Sequence, residues 1–318
     1  LASKQELKFT HLTTSDGLSQ DRVKCILRDS RGFMWIGTED GLNRYDGYSV
    51  KVYKHNPRDS TSLLSSWIRH LYEDKKGRMW VATNMGLQYY DPAKDVFRQM
   101  ILDETGGVLA MLEDIHGNFW VAAGFVNLYC YGKNGDLLKK YDTTSLSSGD
   151  RALLLDKHCE FWVGTATGLC KYHESTNKFS QYFSFPTTSA ESPIADLFED
   201  HAQNIWVSQA GAGLYRIDST RKNIESFWDR RKESPNTFVT SIGEDNEGNI
   251  WLGTFNSGVL IYDPKSETLR HYEANPSDPR SLLNQRVGPI YRDQSNLMWV
   301  GVERVERLRK QFHTVRMT

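Results

Sequence analysis

Aspartates and histidines are the residues of this chain that could perform acid–base or metal chemistry. The nine histidines are scattered, and no two recur at a spacing that would bring them together. Seven aspartates do recur, each six residues before a tryptophan and mostly three before a glycine, where a carboxylate caps a turn by accepting backbone amides. They are Asp29, Asp74, Asp114, Asp156, Asp200, Asp245 and Asp293. We therefore assign them a structural role and predict no catalytic residues, no metal and no cofactor.

The four cysteines do not change that prediction. No C-x-x-C pair and no histidine at zinc-site spacing occurs among them, since they lie at Cys25, Cys130, Cys159 and Cys170. A domain of this size does not need disulfides for its stability. We expect four partly buried thiols.

Arginine and aromatic residues provide the remaining candidate site. Five of these residues lie seven or five positions before a repeated aspartate, and two follow the second strand of a repeat. Two tryptophans are included because they fall outside the tryptophan repeat, and one of them is also among the five. The candidates are Arg22, Trp67, Arg69, Phe125, Arg151, Trp228, Asn256 and Arg286. Rings that stack and guanidinium groups that donate paired hydrogen bonds suit an oligosaccharide ligand, particularly an acidic one. The alternative is that all eight are ordinary solvated residues on the edge of the fold.

The composition excludes other classes of partner. Lys and Arg number 39 against 40 for Asp and Glu, which gives a formal net charge of −1. So balanced a chain offers no electrostatic reason to bind nucleic acid or an anionic membrane surface. No run of eighteen apolar residues occurs, so we predict no direct membrane insertion.

A repeated unit organises the whole chain. Tryptophans recur at steps of forty to forty-eight residues, which is the period of a four-stranded propeller blade, at Trp35, Trp80, Trp120, Trp162, Trp206, Trp251 and Trp299. The unit reads Asp-x-x-Gly-x-apolar-Trp and predicts a strand, a tight turn and a second strand. Seven units predict an all-β fold, a seven-bladed β-propeller with four antiparallel strands per blade.

Two details of the unit predict local structure. Cys159 and Gln203 stand where other repeats have glycine, and because glycine supplies positive φ we expect these two turns to differ from the rest. A small residue such as Gly37 follows each tryptophan by two positions, on the same face of the strand. This predicts that each indole fills the gap over a small residue of the adjacent blade.

The two ends of the chain predict how the ring closes. Phe9 and Leu12 have the spacing of a fourth strand but no blade of their own, whereas the seventh repeat nearly ends after a third strand near residues 305–310. We predict that residues 7–13 complete the last blade, which removes exposed edges. The propeller then covers residues 1–311, and residues 312–318 begin a linker or following domain. Phe312 and Val315 offer a rival closure.

The motif resembles a known repeat. Asp29 to Asp46 reads Asp-x-x-Gly-x-Met-Trp-Ile-Gly-Thr-x-x-Gly-Leu-x-x-Tyr-Asp, with Gly17-Leu18-Ser19 upstream, and is similar to the two-component regulator propeller repeat. The resemblance covers nearly the whole chain and departs at residues 125–128, 211–214 and 303–307. It implies the first propeller of the periplasmic sensor region of a Bacteroidetes hybrid two-component system. In that family a second propeller, a β-sandwich, a transmembrane helix and a histidine kinase follow.

The resemblance also implies a function. The chain would be a non-catalytic, periplasmic ligand-sensing module that responds to oligosaccharides derived from polysaccharides and that dimerises within the full receptor. Two alternatives stay open. A propeller lyase or glycosidase would show turnover, and a structural ring for docking or dimerisation would associate through one face.

Overall fold

The structure is a computed structural model of the 318-residue chain. It describes residues 7–100, 107–124, 127–142, 152–165, 168–184, 193–210, 213–231 and 238–302. Nearly all regular structure in these ranges is β-strand. The exceptions are a 3-10 turn, Thr14–Asp16, and one short helix, α1 (Phe227–Arg231).

Six blades of four antiparallel strands follow one another along the chain. Blades 1 to 3 contain β1 (Val23–Arg28), β2 (Met34–Thr38), β3 (Gly41–Tyr45), β4 (Val50–Tyr53), β5 (Ile68–Glu73), β6 (Met79–Thr83), β7 (Gly86–Asp91), β8 (Val96–Met100), β9 (Val108–Glu113), β10 (Phe119–Ala123), β11 (Asn127–Tyr131) and β12 (Leu137–Asp142). Blades 4 to 6 contain β13 (Leu153–Leu155), β14 (Phe161–Gly164), β15 (Leu169–His173), β16 (Lys178–Phe183), β17 (Ile194–Glu199), β18 (Ile205–Gln209), β19 (Gly213–Ile217), β20 (Ile224–Ser226), β21 (Val239–Glu244), β22 (Ile250–Thr254), β23 (Val259–Asp263) and β24 (Thr268–Tyr272). A separate two-stranded sheet pairs β25 (Val287–Arg292) with β26 (Met298–Val302).

The first strand of every sheet lines the centre of a closed ring. Each first strand contacts those of its two neighbours, in the order β1, β5, β9, β13, β17, β21, β25 and back to β1. The expectation of an all-β propeller is therefore confirmed. Within each sheet the strands run outward in sequence order, because successive strands are joined by short hairpin connections.

The predicted count of seven four-stranded blades is wrong. The described residues form six such blades and the two-stranded sheet β25–β26. Residues 7–13, predicted to be a fourth strand of the last blade, form no strand. They pack as an irregular segment in which the Phe9 N–H donates to the Arg280 carbonyl at 2.8 Å and the Phe9 ring is buried with Trp251 and Leu282.

The miscount has a physical reason. The tryptophan motif covers only the first hairpin of each sheet, so counting tryptophans counts first hairpins and not complete blades. The predicted third strand near residues 305–310 and the predicted linker at 312–318 both lie outside the described residues.

The repeated aspartate caps its turn as predicted. In blade 1, Asp29 Oδ1 accepts the N–H groups of Arg31 at 3.1 Å and Phe33 at 2.9 Å. The sequence reasoning missed a further bond, in which the indole Nε1–H of the tryptophan six residues later donates to the other carboxylate oxygen. That bond measures 2.9–3.0 Å in all seven repeats. The carboxylate therefore joins the turn to the buried face of its own sheet.

The expectation that two of these turns differ is wrong. Cys159 has φ 63° and Gln203 has φ 66°, and their N–H groups donate to the Asp156 and Asp200 carbonyls at 2.9 and 3.0 Å. Gly32 makes the same bond to Asp29 at 2.9 Å. A non-glycine residue pays a modest conformational cost in the left-handed region, which the other hydrogen bonds of the turn offset.

The small residue after each tryptophan does not receive the neighbouring indole, so that expectation is also wrong. A Cβ atom on Gly37 would lie 2.6 Å from Ile68, the first residue of the next blade's innermost strand. The indole instead packs further out, as Trp35 does against Tyr90 of blade 2, with ring centroids 5.0 Å apart. Trp299 packs in the same way against Tyr45 of blade 1 at 6.4 Å, across the point where the ring closes.

Candidate functional site

The candidate residues lie at the end of the ring where the innermost strands begin. In each blade the first strand is antiparallel to the second, so Val23 at the start of β1 pairs with Thr38 at the end of β2. Residues just before a first strand therefore meet the loop between the second and third strands. We call this edge of the ring the strand-start rim.

Blade 2 carries an aromatic and arginine pair on the strand-start rim. Trp67 directly precedes β5 and is 36% exposed. The Arg69 guanidinium lies over its ring, 5.1 Å from the centroid, and Arg69 Nε donates to Asn84 Oδ1 at 2.5 Å. Met85, in the same loop as Asn84, is 66% exposed. Trp67 and Met85 therefore offer apolar surface beside the Arg69 guanidinium, which the Trp67 ring and Asn84 hold in one orientation.

A second aromatic group stands between blade 6 and the two-stranded sheet. Arg286 directly precedes β25, and its guanidinium lies 4.1 Å from the centroid of Phe255. Phe255 stacks on Phe238 with centroids 4.7 Å apart, and its N–H donates to the Phe238 carbonyl at 3.0 Å. Asn256 is exposed beside this stack. Two predicted residues, Asn256 and Arg286, are thus brought to one place.

Blade 1 contributes charge without an aromatic ring. Arg22 lies before β1, and its guanidinium pairs with Glu39 at 3.1 Å. Lys24 pairs with the same carboxylate at 3.2 Å. This part of the rim is an ion-pair cluster.

The other predicted residues are placed differently. Trp228 lies in α1 and is only 8% exposed, packed against Phe227 at 4.9 Å. It therefore belongs to the core between blades 5 and 6 and offers little surface to a ligand. Phe125 and Arg151 lie outside the described residues.

Sequence reasoning missed Phe238 although a signal for it was available. Phe238 lies seven residues before Asp245, the same offset that singles out Arg22, Trp67 and Arg286. Its stacking partner Phe255 could not be found in this way, because it comes from the loop between β22 and β23 and meets Phe238 only when the hairpin forms.

Two titratable side chains lie deeper along the innermost strands. Asp196 in β17 accepts the N–H of Ile242, on the neighbouring strand β21, at 2.7 Å and that of Leu197 at 2.9 Å. Burial nevertheless raises the pKa of Asp196 to about 7. Burial lowers the pKa of His70 in β5 to about 4, and within the described residues its Nδ1 has no hydrogen-bond partner.

Within the described ranges, no three His, Cys, Asp or Glu residues are grouped as metal ligands. The four cysteines are free thiols, of which Cys159 is exposed and the others are buried. No helix in the described ranges has the length and apolarity needed to cross a membrane.

Comparison with known proteins identifies the repeats. The profile of the family described as "Two component regulator propeller" matches residues 17–40, 62–85 and 233–256. Each matched segment spans the approach to a first strand, the aspartate turn and the tryptophan strand. The chain thus carries two-component regulator propeller repeats, as the motif predicted.

Longer proteins share the sequence and the fold. Histidine kinase P4 of Formosa agariphila is 30% identical over 251 residues, which cover 71% of this chain and 18% of that protein. The extracellular domain of the putative hybrid two component system BT4673 of B. thetaiotaomicron matches 98% of this chain with a TM-score of 0.80 and 24% identity. That of BT3049 matches 93% with a TM-score of 0.79 and 19% identity. This chain spans 40% and 41% of those two structures, and at such identities the likeness establishes the fold.

Proposed function

We propose that this chain, whose repeats are those of the two-component regulator propeller family, is the extracytoplasmic ligand-sensing module of a hybrid two-component receptor. It is non-catalytic, works in the periplasm and responds to oligosaccharides derived from polysaccharides. The observation that carries the ligand class is the strand-start rim, where aromatic rings and guanidinium groups lie side by side at Trp67–Arg69 and at Phe255–Arg286.

The chemistry of the rim supports a sugar ligand. An exposed ring such as Trp67 can cover the apolar C–H face of a pyranose, while an adjacent guanidinium donates paired hydrogen bonds to hydroxyl or carboxylate oxygens. Both guanidinium groups are held over a ring before a ligand arrives, which reduces the entropy lost on binding. Two such groups on one rim suit a ligand of several sugar units.

The signalling role is supported by the proteins in which similar propellers occur. Similar propellers form parts of extracellular domains of putative hybrid two component systems, and the related kinase is several times longer than this chain. In the parent receptor we expect a second propeller and a β-sandwich next to this ring, and a homodimer as the signalling unit.

Calorimetric titration of this propeller with neutral and acidic oligosaccharides tests the proposal. We expect saturable binding that weakens roughly tenfold or more in Trp67→Ala and in Arg286→Ala, since tenfold corresponds to only about 1.4 kcal/mol. Tyr48→Ala is the matched aromatic control, because Tyr48 is 98% exposed in the turn between β3 and β4, away from the rim.

Two outcomes would contradict the proposal. One is the absence of binding to every oligosaccharide tested. The other is binding whose affinity is the same in Trp67→Ala and Arg286→Ala as in the control Tyr48→Ala.

A further inference from the structure

One backbone contact recurs along the strand-start rim. In blades 2, 3, 5 and 6 the residue just after the second strand donates its N–H to the carbonyl of the residue just before the first strand, at 2.9–3.2 Å. These bonds run from Asn84 to Trp67, from Gly124 to Gly107, from Ala210 to Pro193 and from Phe255 to Phe238. We call the two residues a rim pair. Because the backbone contact is shared, rim pairs differ in their side chains.

The other three sheets have the same two positions. In blade 1 they hold Arg22 and Glu39, whose side chains form an ion pair at 3.1 Å. The position just before the two-stranded sheet holds Arg286. The remaining positions lie outside the described residues, at 149, 166 and 303.

The side chains of the rim pairs divide the rim into two parts. The rim pairs of blades 3 and 5 have neither an aromatic ring nor a polar side chain, and they consist of Gly107, Gly124, Pro193 and Ala210. The large and polar side chains belong to blade 6, the two-stranded sheet, blade 1 and blade 2. These four sheets are consecutive in the ring, since β21 contacts β25, β25 contacts β1 and β1 contacts β5. We call this part of the rim, from Phe238 to Trp67, the rim arc.

Aromatic rings stand at both ends of the rim arc. At the blade 6 end, Phe238 stacks on Phe255, and the Arg286 guanidinium of the next sheet lies 4.1 Å from the Phe255 centroid. Both rings are half-buried, so part of their surface stays accessible. At the blade 2 end, Trp67 is exposed beside the Arg69 guanidinium.

The middle of the rim arc is polar. The Arg22 guanidinium and the Lys24 ammonium share the Glu39 carboxylate, at 3.1 and 3.2 Å. Glu39 offsets much of their charge, so this part offers hydrogen-bond donors and an acceptor rather than a strong field. Sugar hydroxyls both donate and accept, whereas the C–H faces of sugar rings stack on aromatic side chains. The order of groups along the rim arc therefore matches that of an extended sugar chain.

We propose that the rim arc is one extended site that binds a single oligosaccharide. One sugar unit stacks at Trp67 and another at the Phe238–Phe255 stack. The units between them lie over Arg22 and Glu39. The inference rests on the proposed function, to which it adds the extent of the site and a minimum length of ligand.

The spacing of the sheets sets that length. Packed sheets lie about 10 Å apart, so the three junctions of the rim arc place its two ends on the order of 20–30 Å from each other. A disaccharide is too short to reach both ends, whereas a hexasaccharide reaches them. The second contact of the longer ligand is then intramolecular, which raises its affinity.

Calorimetric titration with neutral β-1,3-glucan and acidic galacturonan oligosaccharides, each as disaccharide and hexasaccharide, tests the proposal. We expect one hexasaccharide per chain, bound at least about tenfold more tightly than the disaccharide of its series. Trp67→Ala and Phe238→Ala should each weaken hexasaccharide binding about tenfold or more and leave one binding event per chain. Pro193→Ala, in the rim pair of blade 5, is the control and should change neither quantity.

A second variant keeps the test independent of a folding defect. Phe238→Leu removes the ring but retains apolar bulk, so it should also weaken hexasaccharide binding while thermal unfolding shows a folded protein.

The outcomes separate this inference from the proposed function. Two hexasaccharides per chain, equal affinity for disaccharide and hexasaccharide, or undiminished affinity in both Phe238 variants would overturn the single extended site and leave sugar sensing intact. Absence of binding to every oligosaccharide would overturn both.

Discussion

The indole–carboxylate hydrogen bond is the residue-scale feature that every sheet shares. Its aspartate is buried, as Asp29 and Asp245 are, yet each carboxylate is fully used by turn amides and the indole. A buried anion persists only when its hydrogen bonds replace those of water. Removing one such carboxylate leaves several buried donors without acceptors.

Asp245→Ala tests this role. The substitution removes the acceptor for Trp251 Nε1 and for the N–H groups of Glu247 and Asn249, all at 2.9 Å. We expect the free energy of unfolding to fall by about 3 kcal/mol, since each orphaned buried donor costs about 1–3 kcal/mol. Urea denaturation measures the loss. Asp59→Ala, at an exposed turn, serves as control, and equal losses in both variants would contradict the role.

Asp196 makes stability depend on pH. Its folded pKa is raised to about 7 from 3.8, so the fold favours the protonated carboxyl. That contribution is fully present below about pH 3.8 and is lost as pH rises through 7. Asp196→Asn should therefore raise the free energy of unfolding at pH 8 by about 1–2 kcal/mol, less than the full shift implies because the side chain is half-buried.

The same substitution should change little at pH 4, where the carboxyl and the amide are both neutral. Denaturation curves at the two pH values check this, with the exposed Asp136→Asn as control. A gain of the same size at both pH values would show that ionisation of Asp196 is not its cause.

Sequence patterns were informative about some residues and not others. Capping by the repeated aspartate follows from short-range geometry and could be predicted. The packing partner of each tryptophan lies on the next blade, and the sequence does not show how far from the centre of the propeller the indole packs. Positive φ at Cys159 and Gln203 could not be predicted from residue type, because the hydrogen bonds of the turn hold these two residues in the left-handed region.

At the scale of elements, neighbouring four-stranded blades are joined through their turns as well as through apolar packing. The glutamates at the ends of β5, β9, β17 and β21 each accept an N–H from the preceding blade's turn. Where β13 ends in Leu155, the junction is held by packing, by the His116–Glu174 pair and by the Tyr141 hydroxyl, which donates to the Tyr172 hydroxyl at 3.2 Å. Stability is therefore expected to differ from junction to junction.

Glu73→Ala measures the strength of one junction. Glu73 accepts the Ser30 N–H at 2.9 Å and its hydroxyl at 2.7 Å. We expect a loss of about 1–2 kcal/mol in unfolding free energy together with faster amide hydrogen exchange at Ser30. Glu247→Ala, at an exposed carboxylate, should show neither change, and unaltered exchange at Ser30 in Glu73→Ala would refute the role.

Strands were predictable because the motif encodes a hairpin. The apolar residues around each tryptophan identify β2 and its equivalents, which are buried on both faces. The outer strands are less regular in sequence, since one side meets solvent. β20, for example, ends at Ser226, and Phe227 begins α1.

At the scale of the whole molecule, the N-terminal segment bridges the two sides of the two-stranded sheet. Phe9 packs with Trp251 and Val302, whereas Leu12 and Leu18 pack in a cluster with Trp299 and Met34 of blade 1. The segment thus links blade 6 to blade 1 although it is not a strand. Its buried side chains provide contacts between neighbouring sheets at the place where a paired strand was predicted.

Phe9→Ala tests how far the ring depends on this bridge. Phe9 is 5% exposed, and truncating a buried phenylalanine costs about 3–5 kcal/mol. We expect a loss in that range by chemical denaturation and a single cooperative transition in both proteins. Tyr48→Ala, which truncates an exposed ring, should cost almost nothing. A comparably small loss in Phe9→Ala would mean that the ring is held without the segment.

The left-handed turn at Cys159 has a consequence for how the repeats of this chain can differ from one another. Because the aspartate holds the backbone, the third position after it is free to accept a thiol or an amide side chain. Glycine is therefore optional at that position within this chain, whereas the six-residue offset between carboxylate and indole is the same in all seven repeats.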